Sequence, residues 1–398
     1  MKYVILVPDG AGDRPLEARG GSTPLEAAHL PNMDFLAREG LCGTAVTIPA
    51  GMPAGSDVAN YSIMGYDPRQ HYSGRGPLEA ASMGVSLGPE DVAFRCNLVS
   101  EEDGRLLDYS AGHISTSEAG ELISYLQEKL GDEYTSFYPG VGYRHLLVLK
   151  GNRFLDVRCV PPHDVVGSRL EDVQPEGPGA DRLTALMRLS RRLLAQHAVN
   201  RRRVEEGKRP ANMIWPWGQG KPPHLATVHE RYGLRGAIIT AVDLLKGLGV
   251  LAGMEVVEVP GATGYHDTDY DAKASYAREA LRRVDLVYVH VEAPDEAGHE
   301  GDWEAKVEAL ENFDARIVSA FLDETVRLRE DIAFLLVPDH LTPLEVRTHV
   351  ADPVPFALYC PRMVPDGGRS FSERGVMEGS YSGYPAWQLL DLLIGLAR

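Results

Sequence analysis

Short apolar runs alternate with amphipathic segments at the start of the chain and through its last third. Buried strands are predicted at 2–7, 236–240, 255–259, 285–291 and 332–337, and helices at 241–248, 271–283, 302–328 and 385–397. Continuous apolar runs are typical of parallel strands, because helices cover both faces of the sheet. Strands that alternate with helices predict an α/β domain built on a mostly parallel sheet flanked by helices.

The middle third has a different pattern. It predicts strands at 94–111 and 144–158, helices at 116–130 and 182–206, and a loop rich in Gly, Pro and acidic residues at 167–181. We therefore expect residues 87–225 to form an α+β domain that is inserted into the α/β domain. Residues 1–86 plus 226–398 then make up the α/β domain.

Composition narrows the class of protein. A formal charge of −17 over 398 residues argues against nucleic-acid binding. No apolar stretch is long enough for a membrane span, and the first residues lack the features of a signal peptide. The four cysteines are scattered without a CxxC pair, which fits a reducing compartment, so a cytoplasmic protein is expected.

Six side chains with metal-binding groups follow predicted strands or lie in the loops between them: Asp9, Asp295, His299, Asp339, His340 and His349. Each alone has an ordinary explanation, such as a helix cap for Asp9 or a surface histidine for His340. Ligands of α/β sheets lie beyond the carboxyl ends of the strands, where these side chains are predicted. Carboxylates and imidazoles suit Mn²⁺, Zn²⁺ or Mg²⁺. Six ligands exceed what one ion needs, and two ions about 4 Å apart would clamp an in-line phosphoryl transfer.

Ser56 is the candidate nucleophile. It lies in a Gly/Pro-rich stretch and precedes an apolar segment that is predicted to be helical. A serine at a helix start is commonly only a cap, but a helix N-terminus also favours a bound anion. No Ser-His-Asp or GxSxG context is present, so a metal-activated serine is the simpler interpretation.

Taken together, these motifs resemble a known family. They are PDG (8–10), GSD (55–57), YDPRQHYSGRGPLEAASMG (66–84), GATGYHDTDYDAKA (261–274), DEAGH (295–299), DH (339–340) and THVADPVPF (348–356). The chain resembles the 2,3-bisphosphoglycerate-independent phosphoglycerate mutases of archaeal type, within the alkaline phosphatase superfamily, over nearly its whole length. The resemblance implies an alkaline-phosphatase-like sheet with an inserted substrate, or cap, domain.

The resemblance also implies roles for residues. Ser56 would carry a phosphoserine intermediate, and 3-phosphoglycerate would be converted to 2-phosphoglycerate in glycolysis and gluconeogenesis. Two divalent ions would be bound, with Mn²⁺ favoured over Zn²⁺ or Mg²⁺. One ion would be held by Asp9, Ser56, Asp339 and His340, and the other by Asp295, His299 and His349.

Substrate-binding residues are also implied by the resemblance. Arg144 in YRH, His163 and Asp164 in PHD, and Lys273 match elements of this group. For each of them a plain surface charge is an equally good explanation. Phosphoglycerate is the expected partner, and a monomer or a dimer is expected.

The stretch ANMIWPWGQG (211–220) is typical of a bacterial branch for which homoserine has been proposed as substrate. Its two tryptophans and a glutamine either form a wall that recognises a substrate or pack the domain interface. A homoserine kinase-like phosphotransferase that uses the same two-metal site is therefore the main alternative, although the chain has no P-loop. An inactive metal-binding paralogue is a weaker alternative, because all seven predicted positions are filled. A phosphatase is also weaker, because a large inserted domain would keep water from the phosphoserine.

Overall fold

The computed structural model describes residues 1–328, 331–361 and 363–397. Within this part of the chain the strands are β1 (Lys2–Pro8), β2 (Leu41–Val46), β3 (Asp91–Glu102), β4 (Arg105–Asp108), β5 (Thr135–Tyr138), β6 (Arg144–Lys150), β7 (Met213–Gly220), β8 (Gly236–Ile239), β9 (Glu255–Val256), β10 (Leu286–Val291), β11 (Ile332–Leu336), β12 (Val354–Tyr359) and β13 (Tyr381–Pro385).

The α-helices are α1 (Pro24–Ala27), α2 (Pro31–Arg38), α3 (Ser56–Ile63), α4 (Pro68–His71), α5 (Gly76–Ser82), α6 (Thr116–Leu130), α7 (Ala180–Leu194), α8 (Ala198–Glu205), α9 (Val228–Tyr232), α10 (Asp243–Leu251), α11 (Tyr270–Leu281), α12 (Ala293–Glu300), α13 (Trp303–Asn312), α14 (Ser319–Leu328) and α15 (Leu389–Ala397). Short 3-10 helices lie at Glu17–Arg19, Asn152–Phe154, Pro162–Val165, Leu170–Asp172 and Ala386–Gln388. A π-helical turn, Phe313–Val318, joins α13 to α14, so the long helix predicted at 302–328 is continuous.

The chain forms two compact units. Unit 1 comprises Met1–Tyr72 and His224–Arg398, and unit 2 comprises Ser73–Pro223. Residues 73–86, which the sequence pattern assigned to the α/β domain, belong to unit 2, where α5 packs on β3. A Cβ atom at Gly76 would come within 2.0 Å of the Ala93 carbonyl oxygen, so the glycine allows this close approach.

Unit 1 contains the predicted sheet. Its strand order is β13-β2-β12-β11-β1-β10-β8-β9. The neighbours β11, β1, β10 and β8 run parallel, and only the two pairings of β12 are antiparallel. All six residues of β10 are buried. The mostly parallel α/β fold is confirmed, and the carboxyl ends of β1, β10 and β11 lie side by side.

Unit 2 is built on a five-stranded sheet. Its order is β4-β3-β6-β5, with β7 paired to β3. The strand predicted at 144–158 is too long, because β6 ends at Lys150. The chain turns at Gly151, with φ of 119°, into a 3-10 helix that buries Phe154 in the core of unit 2. Strand β7 was missed, since Pro216 and two glycines interrupt its apolar pattern.

None of the helices in the described ranges has both the length and the apolar character that a membrane span requires.

The π-helical turn supplies a carboxylate that caps helix α2. The buried Asp314 accepts hydrogen bonds from the backbone N–H of Met33 at 2.7 Å and from the side-chain amide of Asn32 at 2.7 Å. The first N–H groups of a helix have no partner within it, so this carboxylate takes their place.

Replacing Asp314 with Ala is therefore expected to lower the free energy of unfolding by about 1.5–3 kcal/mol, the range for hydrogen bonds to a charged group. Urea unfolding followed by circular dichroism measures this. Asp323→Ala, on the exposed surface of α14, is the control and should change stability by less than about 0.5 kcal/mol. Equal stability of both variants would contradict the capping role.

Candidate active site

The predicted ligand residues meet at the carboxyl edge of the unit 1 sheet. Asp9 follows β1 directly, and Asp339 and His340 come just after β11. Asp295 and His299 lie on α12, which begins two residues after β10; the sequence pattern had placed them on a loop. Their i, i+4 spacing puts both on one helix face, where His299 Nε2 is 3.2 Å from Asp295 Oδ2.

The first cluster consists of Asp9, Asp339 and His340, which are all buried. His340 Nε2 lies 3.4 Å from Asp9 Oδ1 and 3.5 Å from Asp339 Oδ2. Asp339 Oδ1 accepts the backbone N–H of Gly10 at 3.1 Å. Among the described residues, Asp9 Oδ1 is buried without a hydrogen-bond partner. A buried carboxylate oxygen of this kind calls for a cation or a proton.

The second cluster consists of Asp295, His299 and His349. The Nε2 atoms of the two histidines are 3.0 Å apart, and His349 Nε2 is 3.5 Å from Asp295 Oδ1. The rings of His340 and His349 stack with centroids 3.9 Å apart, so the two clusters are adjacent. The structure thus brings all six predicted ligand side chains together in two groups of three.

Burial and mutual repulsion shape the charges of these groups. Burial, followed by the charges of Asp339 and Asp295, raises the pKa of Asp9 well above its usual value. Burial also raises the pKa of Asp295. Hydrogen bonds with His299 and His349 outweigh this effect and hold the pKa of this carboxyl well below its usual value. The hydrogen bond to Asp295 raises the pKa of His299 to about 9. Without a metal, bound protons must compensate the negative charge of the clustered carboxylates. A divalent ion would take the place of these protons.

Ser56 is the first residue of α3, as predicted. Its Oγ lies 3.1 Å from His340 Nε2, so the hydroxyl borders the first cluster. The partly positive N-terminus of α3 lies at the same point. A serine hydroxyl, an imidazole and two carboxylates therefore share one small volume.

Several supporting residues were not found from the sequence. The side-chain amide of Asn60 donates to Asp339 Oδ2 at 2.9 Å and to the Ser56 carbonyl at 2.8 Å. Tyr288 donates its hydroxyl hydrogen to Asn60 Oδ1, and His290 Nε2 lies 3.1 Å from Asp9 Oδ2. Two features of the sequence could have pointed to these residues. Asn60 is one helical turn after Ser56, and polar residues alternate along the otherwise apolar β10.

Lys273 lies on α11 and is completely buried. Its Nζ is 3.5 Å from the carbonyl oxygen of His290. Burial lowers the pKa of Lys273 to about 8, against the opposing charges of Glu292 and Asp9. The predicted lysine is therefore an interior cation near the first cluster, and a plain surface charge is excluded.

Leu341, which directly follows the ligand residues Asp339 and His340, is accommodated by a neighbouring glycine. It is buried and bridges to Ala11, Gly12 and Val350. A Cβ atom on Gly12 would come within 2.6 Å of the Leu341 side chain.

The other predicted substrate-binding residues lie in unit 2. Arg144 begins β6, and His163 and Asp164 lie in the 3-10 helix Pro162–Val165. The His163 ring packs edge-on against Trp217, with centroids 5.3 Å apart. Arg95 also contacts this tryptophan, with its Cζ 4.5 Å from the centroid of the Trp217 ring.

Arg95 was missed by the sequence analysis because it lies within β3. It pairs with Glu79 at 3.1 Å. Burial, with Arg75 and Arg144 nearby, lowers its pKa against the effect of Glu79. Trp217 is buried and donates its indole N–H to Asn97 at 3.0 Å. This tryptophan therefore packs the interior of unit 2 and also supports a guanidinium group.

Comparison with known proteins agrees with these features. Residues 37–200 match the family model described as 2,3-bisphosphoglycerate-independent phosphoglycerate mutase. The chain is 53% identical over 395 residues to a protein of that name from Methanosarcina barkeri, covering 99% of each chain.

Solved structures agree as well. A protein from Pyrococcus horikoshii has a TM-score of 0.82 at 31% identity, over 99% of this chain and 97% of that one. The cofactor-independent phosphoglycerate mutase from Thermoplasma acidophilum has a TM-score of 0.70 at 28% identity, with both chains fully covered. The resemblance noted in the motifs is confirmed, and the chain belongs to the 2,3-bisphosphoglycerate-independent phosphoglycerate mutase family.

Proposed function

We propose that the protein interconverts 3-phosphoglycerate and 2-phosphoglycerate through a phosphoserine at Ser56, with two divalent ions at the carboxyl edge of the unit 1 sheet. The observation that carries the proposal is the position of Ser56 Oγ, 3.1 Å from His340 Nε2 and beside the first ligand cluster. Relatives at about half identity over the whole chain are named as mutases of this type, which supports the substrate.

The residues fit a two-ion site. Asp9, Asp339 and His340, with Ser56, would hold one ion, and Asp295, His299 and His349 the other. The mix of carboxylates and imidazoles suits Mn²⁺, Zn²⁺ or Mg²⁺, and Mn²⁺ is the first choice. Asp9 Oδ1 has no hydrogen-bond partner among the described residues, which supports a cation at this point. When bound, the ions would lower the pKa of the serine hydroxyl and neutralise charge on the transferring phosphoryl group.

The chain's own residues position the nucleophile. The side chain of Asn60 holds the Ser56 carbonyl and Asp339 together, so the first turn of α3 is fixed relative to the first cluster. The N-terminus of α3 favours the phosphate that Ser56 would carry. Lys273 adds a buried positive charge nearby. A preorganised positive environment of this kind stabilises charge that develops during transfer.

Unit 2 is proposed to be the substrate domain. Arg144, His163 and Asp164 remain the predicted substrate-binding residues, and Arg95 joins them because a guanidinium fixed by Glu79 and Trp217 suits a carboxylate or phosphate. A mutase must also keep water from the phosphoserine, a task that we assign to this inserted domain.

An enolase-coupled assay with 3-phosphoglycerate, without 2,3-bisphosphoglycerate, tests the proposed reaction. We expect turnover with added Mn²⁺ and its loss on chelation, because the ions stabilise the transferring group. Folded, metal-loaded protein that gives no turnover would overturn the mutase proposal. Homoserine with ATP would then be the next substrate pair tested.

Ser56→Ala should lower turnover in that assay by several orders of magnitude, since it removes the group that accepts the phosphoryl group. Ser62→Ala is the matched control on the same helix. The Ser62 hydroxyl donates to the Thr47 carbonyl at 2.6 Å. Its loss should lower the free energy of unfolding and leave turnover nearly unchanged. Near-normal turnover of Ser56→Ala would exclude Ser56 as the nucleophile.

Purified protein should hold about two divalent ions per chain, measured by inductively coupled plasma mass spectrometry. His340→Ala and Asp295→Ala should each reduce this content, because each removes a ligand of one cluster. His71→Ala, outside both clusters, is the control. Unchanged metal content in the two ligand variants would show that the ions bind elsewhere.

A further inference from the structure

One threonine contacts ligand residues of both clusters. Thr342 is completely buried. Its hydroxyl donates a hydrogen bond to Asp295 Oδ1 of the second cluster. The same Oγ1 atom lies 3.2 Å from His340 Nδ1 of the first cluster.

A threonine hydroxyl has one hydrogen to donate and lone pairs to accept with. The ionised carboxylate of Asp295 can only accept, so the Thr342 hydrogen points to it. Towards His340 the hydroxyl oxygen must then accept, which places a hydrogen on Nδ1 of the ring. In the neutral imidazole this leaves the lone pair on Nε2, the atom that faces Ser56 Oγ and Asp9.

The position of Thr342 is fixed by surrounding elements. The buried Lys306 of α13 donates to the Thr342 carbonyl at 2.8 Å and to Asp13 at 3.0 Å. Two glycines leave room for the threonine. A Cβ atom on Gly10 would come within 2.7 Å of its hydroxyl, and one on Gly298 within 2.5 Å of its carbonyl oxygen. Three separate segments are thus shaped around this residue.

We propose that Thr342 is a positioning residue that sets the tautomer of His340 and the orientation of Asp295, so that one hydroxyl prepares both ion sites at once. The inference rests on the proposed two-ion site. Partners that orient metal ligands in this way typically account for about 10–100-fold in metal affinity.

Thr342→Val keeps the shape of the side chain and removes its hydroxyl. We expect zinc affinity at both sites to fall by about 10–100-fold, measured by competition with a chromophoric chelator. Thr342→Ser restores the hydroxyl and should bind both ions within about threefold of the unmodified protein, because serine offers the same donor and acceptors.

Thr135→Val is the matched control. Thr135 is buried in unit 2, and its hydroxyl accepts a hydrogen bond from Arg182 at 2.8 Å. Its replacement also removes a buried hydroxyl with a charged partner. It should lower the melting temperature and leave zinc affinity unchanged, which separates a general loss of stability from a local effect on the ligands.

A second readout follows the histidine directly. Nitrogen NMR spectra of protein labelled with ¹⁵N-histidine, with the His340 signals assigned from a His340→Asn variant, should show a protonated Nδ1 in the unmodified protein. Thr342→Val should lose this signature in zinc-free protein, whereas zinc bound to Nε2 would leave the hydrogen on Nδ1 in both proteins. The measurement is made with and without zinc.

The outcomes are distinct. Unchanged affinity in Thr342→Val, or equal losses in Thr342→Ser and Thr342→Val, would overturn the inference, because the hydroxyl would then have no role. Unmodified protein that takes up no zinc would overturn the two-ion proposal instead. In that case the NMR spectra test the proposed role of Thr342 directly. A His340 ring with a hydrogen only on Nε2 would overturn the inference.

Discussion

Negative charge buried at the edge of a parallel sheet is the constraint on which unit 1 depends. Asp9, Asp295 and Asp339 converge because β1, β10 and β11 are adjacent and parallel, and the carboxyl ends of such strands meet on one side. Carboxylates so close together and so deeply buried repel one another and lose hydration. The surrounding imidazoles, amides, backbone N–H groups and the Lys273 ammonium each offset part of that energy.

Much of this arrangement was predictable from the sequence. Continuous apolar runs identified β1, β10 and β11, and a polar residue at or just after each run marked the place where ligands gather. The sequence could not show that Asp295 and His299 lie on a helix, because the pattern PDEAGH contains both proline and glycine. In the structure the proline occupies the first turn of α12, where its missing N–H has no cost.

The supporting residues were harder to find, for a physical reason. Asn60, Tyr288 and Thr342 each have a hydrogen-bond partner that is distant in sequence. The local pattern offered at most a spacing or an alternation of polar residues, and it could not identify those partners. Arg95 was hidden in the same way inside an apolar strand. Unit 2 gave the weakest local signals, since Pro216 and Gly218 interrupt β7 and only pairing with β3 along most of its length defines it as a strand. The roles of these supporting residues, and the strand conformation of β7, depend on contacts with residues that are distant in sequence.

The packing of Leu341 on Gly12 has a consequence for how this family diverges. The leucine fills the space that a side chain at position 12 would need. Residues 12 and 341, which belong to separate segments, therefore compete for the same space. A lineage with glycine at 341 gains freedom to place alanine or serine at 12, whereas a side chain at 12 in a lineage with leucine at 341 requires the leucine side chain to shift. Side-chain volumes at positions 12 and 341 should therefore vary in opposite directions across relatives. Such paired changes would let the sequences diverge without altering the geometry of the neighbouring ligands.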